Sequence, residues 1–262
     1  MMNTHYKLWA LLPLIMAALC ATSNLNAQVV ALNDPIGTIY RYENVNREHK
    51  NTDAFKLIAK QGNKYTMQIC GVDADGKVQP ETGKKDDAPQ IVLGYEIKEG
   101  VLYQSPEGLL KMVQRELKKS MTDVPKMVSV KLTHSGDLYG IPLRGKVGDK
   151  LPESAFKVKA KASVFGMTFV YKTLSNKIVG KERLTTPAGT FDCLVVELRN
   201  KISFRIFGVF SDTTNEVIKL WVDPKVGVVQ EIKESTEKDN KEDKSEGTSE
   251  PAIRQLVSIT HP

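Results

Sequence analysis

Length, composition and charge set the first limits on what the chain can be. It has 262 residues, of which 41% are apolar, and its formal net charge at pH 7 is +6. This apolar share is enough for a packed core, so a globally disordered chain is excluded. The three cysteines lie far apart, which excludes a small disulfide scaffold and a zinc ribbon.

The first 27 residues have the layout of a signal peptide. Residues 8–19 are uncharged and mostly apolar, and they are too few to span a bilayer. Cleavage after about Ala27 leaves a mature chain that begins at Gln28, in the periplasm or outside the cell. The alternative is a lipoprotein anchored at Cys20, but the leucine before this cysteine is too large for a lipidation site. No comparable apolar run follows, so no transmembrane helix is predicted in the mature chain.

Short stretches of alternating apolar and polar residues recur along the mature chain. Phe156, Val158 and Ala160 alternate with lysines, which is typical of a strand with one buried face and one face in water. Strands of this length with short turns favour a curved antiparallel sheet. The sequence predicts a mainly β protein of the α+β class, with one or two helices packed against the sheet. The strands are predicted at residues 38–42, 55–59, 65–70, 91–98, 101–104, 127–133, 156–164, 167–173, 177–184, 191–198, 202–207, 217–222, 228–233 and 253–259.

One helix is predicted at residues 105–120. Ser105 suits the N-cap and Pro106 suits the first helical position. Apolar residues then recur at helical spacing and form a stripe that should lie on the sheet. The helix either covers a filled core or closes a site for an apolar ligand. On the second interpretation, the candidate ligand-binding residues are Leu109, Leu110, Val113 and Leu117.

A charged segment interrupts the last part of the chain. Residues 234–250 are almost wholly polar and charged, and they cannot bury enough apolar surface to order themselves. Apolar alternation returns at residues 252–260. We therefore expect a disordered loop between the last two strands of a single β-rich domain at residues 28–262.

The most specific pattern lies between residues 137 and 229. Residues 137–143 read Asp-Leu-Tyr-Gly-Ile-Pro-Leu, residues 185–193 read Thr-Thr-Pro-Ala-Gly-Thr-Phe-Asp-Cys, and residues 220–229 read Leu-Trp-Val-Asp-Pro-Lys-Val-Gly-Val-Val. In this order the pattern resembles the TapB-like family of secreted Gram-negative envelope proteins, a domain of unknown function. The resemblance implies an incomplete barrel like those of periplasmic lipoprotein carriers, curled around an apolar concavity. It implies no known active site.

The residues of this pattern also have a structural explanation. Pro187 presets φ for the first corner of a turn, and Gly189 can take the positive φ that closes a hairpin loop. Thr186 can cap the turn through its hydroxyl group. The pattern therefore predicts hairpins and not catalysis. The residues assigned to this structural motif are Thr186, Pro187, Gly189, Phe191, Cys193, Trp221 and Gly227.

No pattern of a catalytic or metal site stands out. His49, His134 and His261 lie far apart, and no metal-ligand spacing or hydrolase elbow is present. We expect no enzyme, no metal and no cofactor. Cys70 and Cys193 either form a disulfide in an oxidising compartment or remain buried thiols.

Three functions fit these observations. The first is a periplasmic module that binds or carries a lipid or other apolar ligand between the sheet and the helix at residues 105–120. The alternative is a structural or assembly protein that meets an envelope protein partner through sheet edges and the loop at residues 234–250. A hydrolase with a dispersed site is the third. Nucleic acid is not an expected partner of a secreted chain.

Overall fold

A computed structural model describes residues 29–45, 52–73, 77–79, 92–108, 110, 127–135, 138–162, 165–206, 210–236 and 251–262. Within these ranges the chain forms a single sheet of fourteen strands. The signal peptide and most of the charged loop lie outside the described residues. The strands are β1 (Ile39–Asn44), β2 (Thr52–Gln61), β3 (Lys64–Val72), β4 (Val78–Gln79), β5 (Val92–Lys98), β6 (Val101–Gln104), β7 (Met127–Ser135), β8 (Leu138–Pro142), β9 (Ala155–Ala162), β10 (Phe165–Thr186), β11 (Gly189–Ile206), β12 (Phe210–Asp223), β13 (Gly227–Thr236) and β14 (Ala252–Thr260).

The strands follow the order β7-β9-β10-β11-β12-β13-β14-β1-β2-β3-β5-β6-β8, and β4 pairs with β3 outside this path. Every pairing between the described strands is antiparallel. The predicted fold class, a mainly β protein built on a curved antiparallel sheet, is confirmed.

Strand lengths differ from the sequence prediction in the centre of the sheet. The strands predicted at 167–173 and 177–184 are one strand, β10, of 22 residues. Bulges interrupt its pairing with β11 between Thr173 and Ser175 and between Ile178 and Gly180. A bulge shifts the alternation of apolar residues by one position, so a continuous strand looks like two in the sequence. The short strand β8 was missed because its glycine and proline are typical of a turn.

The sheet curls so that its β8 edge lies over the middle of one face. Asn176 of β10 donates a hydrogen bond from Nδ2 to the backbone oxygen of Gly140 in β8, at 3.2 Å. Ile141 of β8 belongs to the same buried cluster as Ile178. The loop after β8 also pairs with β10, because Ile178 N donates to Asp149 O at 3.0 Å. We call the side of the sheet that carries Ile178 the concave face, and the opposite side the convex face.

The hydrophobic core fills much of the concave face. Its largest side chains have almost no exposed surface. Burying each one contributes about 1.5–3 kcal/mol relative to exposure. The largest of these side chains are Tyr40, Tyr42, Leu57, Met67, Leu93, Leu102, Leu138, Ile141 and Met167.

The segment that follows the predicted cleavage site is part of the folded body. Val29 and Ala31 are fully buried, and Val29 forms a bridge with Gly227 at the start of β13. Val30 N donates to Val226 O at 2.8 Å, and the Tyr65 hydroxyl donates to Val29 O. The first residues of the predicted mature chain therefore add to the core.

Only the start of the predicted helix lies within the described residues. Residues 106–108 and Leu110 are helical, and Leu110 is half-buried. A Cβ on Gly108 would lie 3.1 Å from Val92 O and 3.3 Å from Leu93 Cα, so this glycine allows the helical turn to approach β5 closely. The described part of the chain holds no helix with the length and apolar character needed to cross a membrane.

Candidate functional site

Polar side chains cross the concave face from strand to strand. Strand register places Thr173 opposite Asn200, and Asn200 opposite Glu216. On the next strands, Glu231 stands opposite Arg254. We call this set the polar belt, and all but one of its members are at most 6% exposed. The belt consists of Ser154, Thr173, Asn200, Glu216, Glu231, Arg254 and the less buried Lys233.

Two ion pairs stabilise the charged part of the belt. Lys233 Nζ lies 2.5 Å from Glu216 Oε1, and these side chains are 17% and 6% exposed. An Arg254 guanidinium nitrogen lies 2.8 Å from Asp53 Oδ2. The cost of removing these charges from water is offset because each cation has an acidic partner. Breaking either pair would leave a buried charge without its partner.

The Arg254 guanidinium also stacks on aromatic rings of the concave face. It lies 4.9 Å from the centre of the Tyr42 ring and 5.5 Å from that of Phe55. Such cation–π contacts orient the planar group. The Tyr42 hydroxyl donates to Val228 O at 2.7 Å, which orients the ring beneath the arginine. Arg254 is therefore a rigid part of the belt.

Two buried amides of the concave face, Gln104 and the belt member Asn200, have unused hydrogen-bonding capacity. Gln104 and Asn200 are only 2% and 1% exposed. Neither side-chain atom of either amide has a hydrogen-bond partner among the described residues, and the same holds for the hydroxyl of Tyr95, which stands opposite Gln104. Each such group costs about 1–3 kcal/mol if it stays unsatisfied. Buried groups of this kind usually bind an ordered water or a ligand.

The tyrosines near the belt are protonated hydrogen-bond donors at neutral pH. Burial raises the pKa of Tyr171 well above its ordinary value, and the nearby carboxylates of Glu216 and Glu231 raise it further. Burial likewise raises the pKa of Tyr42 and Tyr95, while Arg254 lowers both slightly. The concave face thus combines phenol donors, amides and paired charges.

The structure describes only one residue of the apolar stripe predicted from the sequence. Leu110 lies in the helical turn next to β5. Leu109, Val113 and Leu117 lie outside the described residues. The prediction that the stripe lines a ligand site therefore stays a prediction.

The turn motif lies at the C-terminal end of β10, whereas Thr173 of the polar belt lies near the middle of this strand. Gly189 has φ +141°, and Ala188 N donates to Thr186 Oγ1 at 3.1 Å. Pro187 occupies the exposed corner of the turn, and the half-buried Phe191 begins the outgoing strand. These residues shape a hairpin.

The second turn of the pattern is built in a similar way. Gly227 has φ +93°, and Asp223 Oδ1 accepts hydrogen bonds from Lys225 N at 2.8 Å and Val226 N at 3.0 Å. Trp221 Nε1 donates to Glu182 Oε2 at 2.8 Å.

The two described cysteines are buried and unbridged. Of the two alternatives for Cys70 and Cys193, the structure therefore shows buried thiols. Burial raises the pKa of Cys193 to about 12, and Asp223 and Asp192 add to this effect. The Cys193 thiol is consequently a poor nucleophile at neutral pH.

Sequence reasoning missed the polar belt. Its members are far apart in the chain, and only strand register brings them together. A local signal exists, since Glu216 and Arg254 each stand two residues before a buried apolar residue of the same strand, Ile218 and Leu256. Polar residues at such inward positions are candidates for a buried site. Among the described residues, no group of three histidine, cysteine, aspartate or glutamate side chains could hold a metal ion.

Solved structures share this fold. One is described as a "putative exported protein with YmcC-like fold" from Bacteroides fragilis NCTC 9343, with 13% identity, coverage of 87% of this chain and 98% of that chain, and a TM-score of 0.50. Another is a "putative lipoprotein" from Parabacteroides distasonis ATCC 8503, with 13% identity, coverage of 88% and 99%, and a TM-score of 0.52. The curved sheet thus belongs to the class of YmcC-like folds.

The family follows from the sequence itself. The model of the DUF3108-like family matches residues 98–250, which is more than half of the chain. The chain belongs to the DUF3108-like family. No curated protein matches it.

Proposed function

We propose that this protein is exported to the cell envelope and binds an amphipathic ligand, such as a lipid, on its concave face. The observation that carries the proposal is the set of buried hydrogen-bonding atoms on Gln104, Asn200 and Tyr95 that have no partner among the described residues. A ligand with a polar group would satisfy them.

The surroundings of the belt favour a ligand that also has an apolar part. Beside the belt, the rings of Phe156 and Tyr171 stack with centroids 5.0 Å apart, and Phe169 lies next to them. Pockets for small molecules are mostly apolar with a few placed polar groups. An acyl chain would pack on the aromatic side while its head group contacts the belt.

The helix that the sequence predicts at residues 105–120 would complete the proposed site. Gly108 brings the helix start against Leu93 of the concave face. A helix that continues from there would carry Leu109, Leu110, Val113 and Leu117 along the sheet, with spacing that keeps them on one side. These four residues are the proposed apolar lining.

The proposed role is binding without catalysis and without a cofactor. The acidic side chains of the belt lie beside cations: Glu216 pairs with Lys233, and Glu231 stands opposite Arg254. Paired charges of this kind orient a ligand but are poorly suited to proton transfer. The buried Cys193 thiol lies outside the belt.

Export is proposed from the N-terminal sequence. The expected cleavage after Ala27 would leave Gln28 directly before the buried segment that starts at Val29. The descriptions of the two similar structures, one as exported and one as a lipoprotein, support this location. Within the family, the Thr-Pro-Ala-Gly-Thr-Phe-Asp-Cys segment supports a TapB-like member. N-terminal sequencing should find Gln28; a diacylated Cys20 would instead show a lipoprotein.

The binding proposal is tested by purification from native envelopes, followed by mass spectrometry of bound lipids. The wild-type protein should retain a defined amphipathic species. A double variant, Gln104→Leu with Asn200→Leu, should fold but no longer retain this species. The control is Gln255→Leu, because the Gln255 amide donates a hydrogen bond to Gln230 at 3.2 Å; this variant should still retain the species. A folded wild-type protein without any bound amphiphile would refute the proposal.

A second candidate function is assembly with an envelope protein. Within the described residues, β7 pairs on one side only, with β9, and thus offers an open edge. Exposed edges can accept a strand from a partner. Cross-linking from Thr133 or His134, both exposed, should then capture a specific envelope protein; no specific product would dismiss this candidate.

A further inference from the structure

Basic side chains cover part of the convex face, on the side opposite the polar belt. Buried Val158 and Ala160 point to the concave side of β9, so the alternating lysines of this strand point outward. Strand register extends the cluster over β7, β10 and β11. We call the following residues the basic face: Lys131, Lys157, Lys159, Lys161, Lys172, Lys201 and Arg205.

The basic face contains like charges in direct opposition. Register places Lys131 opposite Lys159, and Lys172 opposite Lys201. Like charges in opposed positions of neighbouring strands repel each other and destabilise the pairing. Two such pairs within one patch lower the stability of the sheet, and a bound anionic partner would relieve their repulsion.

Among the described residues, the outward positions around this patch carry no acidic side chain. The outward positions within 131–135 of β7, 155–161 of β9, 166–172 of β10, 199–205 of β11 and 211–215 of β12 hold no aspartate or glutamate. The next outward residue of β11 is Glu197, which already pairs with Arg199 at 3.0 Å. With strands about 4.8 Å apart and alternate residues about 6.7 Å apart, the basic face extends over roughly 15 Å by 20 Å. This dimension matches several phosphate groups of a lipid surface.

We propose that the basic face docks the protein on an anionic lipid surface. Six of its seven cations are lysines, which act as flexible point charges and suit diffuse attraction to a charged surface more than bidentate recognition. Outward neighbours such as Thr133, Thr168 and Ser203 are small and polar, and none of the outward residues within 131–135 of β7, 155–161 of β9, 166–172 of β10 and 199–205 of β11 is aromatic. Stacking on nucleic-acid bases, which needs aromatic side chains, is therefore disfavoured.

The docking proposal is independent of the ligand on the concave face. Binding at the convex face would orient the open sheet relative to the membrane whatever the sheet carries. Substitutions in the basic face that abolish docking should therefore leave ligand binding on the concave face intact, and substitutions in the concave face should leave docking intact.

The test is co-sedimentation of the purified protein with vesicles of phosphatidylglycerol mixed with phosphatidylcholine, and with vesicles of phosphatidylcholine alone. We expect binding to the anionic vesicles only, and its loss at 1 M salt, where the screening length is about 3 Å. Each lysine near an anionic surface increases the affinity for that surface about five-fold. The triple variant Lys157→Gln, Lys159→Gln, Lys161→Gln should thus bind roughly 100-fold more weakly.

A matched control separates the basic face from net charge. Lys146, Lys181 and Lys225 are exposed elsewhere, and replacing all three with glutamine removes the same charge. This control should bind anionic vesicles almost as well as the wild-type protein. A variant with arginine at Lys157, Lys159 and Lys161 should bind them as well. Circular dichroism checks that each variant folds, and Lys172→Gln with Lys201→Gln provides a second test on other strands.

Three results would overturn the proposal. The first is no binding of the wild-type protein to anionic vesicles. The second is an equal loss in the basic-face and control triples, which would assign the effect to net charge. The third is binding to an anionic polysaccharide or nucleic acid without binding to vesicles, which would assign the face to a polymer.

Discussion

Replacing Gln104 with leucine should stabilise the ligand-free protein. The side chain is 2% exposed, and neither its Oε1 nor its Nε2 has a hydrogen-bond partner among the described residues. Leucine has a similar volume and no polar atom, so the variant removes the cost of burying two unsatisfied groups. With about 1–3 kcal/mol per group, partly offset by imperfect packing, the free energy of unfolding should rise by about 1–3 kcal/mol.

The measurement is urea and thermal denaturation of delipidated protein, followed by circular dichroism. In a domain of this size, 1 kcal/mol corresponds to about 2–4 °C in Tm. Gln255→Leu is the control, because its amide donates to Gln230 at 3.2 Å, and its loss should cost about 0.5–1.5 kcal/mol. If Gln104→Leu destabilised the protein as much as the control does, Gln104 would have partners within the fold, and the reasoning about the belt would fail.

Three further predictions concern the rest of the fold. Gly189→Val should lower the free energy of unfolding by about 1–3 kcal/mol or more, because Gly189 has φ +141°; an unchanged Tm would show that the turn tolerates a side chain. Burial raises the pKa of Tyr42, Tyr65, Tyr95 and Tyr171, so the folded state holds protons that the unfolded state loses near pH 10. Stability should therefore fall above pH 10, by about 1.4 kcal/mol per pH unit for each tyrosine, and phenolate absorbance should appear only with unfolding; titration of all four in the folded state would contradict this. Cys193, with its pKa raised to about 12, should resist iodoacetamide at pH 8 until urea unfolds the chain, and fast labelling of the native protein would show an accessible thiol.

Local alternation was enough to predict the fold class. Phe156, Val158 and Ala160 occupy one buried side of β9, as their spacing indicates. The length of β10 could not be predicted, because the bulges near Thr173 and Ile178 shift the alternation. The order of the strands in the sheet could not be predicted from the sequence either, because the pairing of β1 with β14 joins residues more than 200 positions apart.

The candidate site depends on that long-range pairing. Asn200, Glu216 and Arg254 carry no motif, and each becomes informative only when register places it on the concave face beside the others. The basic face, unlike the polar belt, could be predicted in part from the sequence. The alternating lysines Lys157, Lys159 and Lys161 are visible in the sequence as one solvent-facing side of a strand, but the opposition of Lys172 and Lys201 is not. Sequence reasoning therefore finds the faces of individual strands and misses what neighbouring strands build together.

We propose above that an amphipathic ligand occupies the concave face with its polar group at the belt. The most direct measurement is a crystal structure of the protein purified from its native envelope without delipidation. We expect continuous ligand density whose polar end lies within hydrogen-bonding distance of Gln104, Tyr95 or Asn200. Density for isolated water molecules at these side chains, with a fully packed concave face, would contradict it.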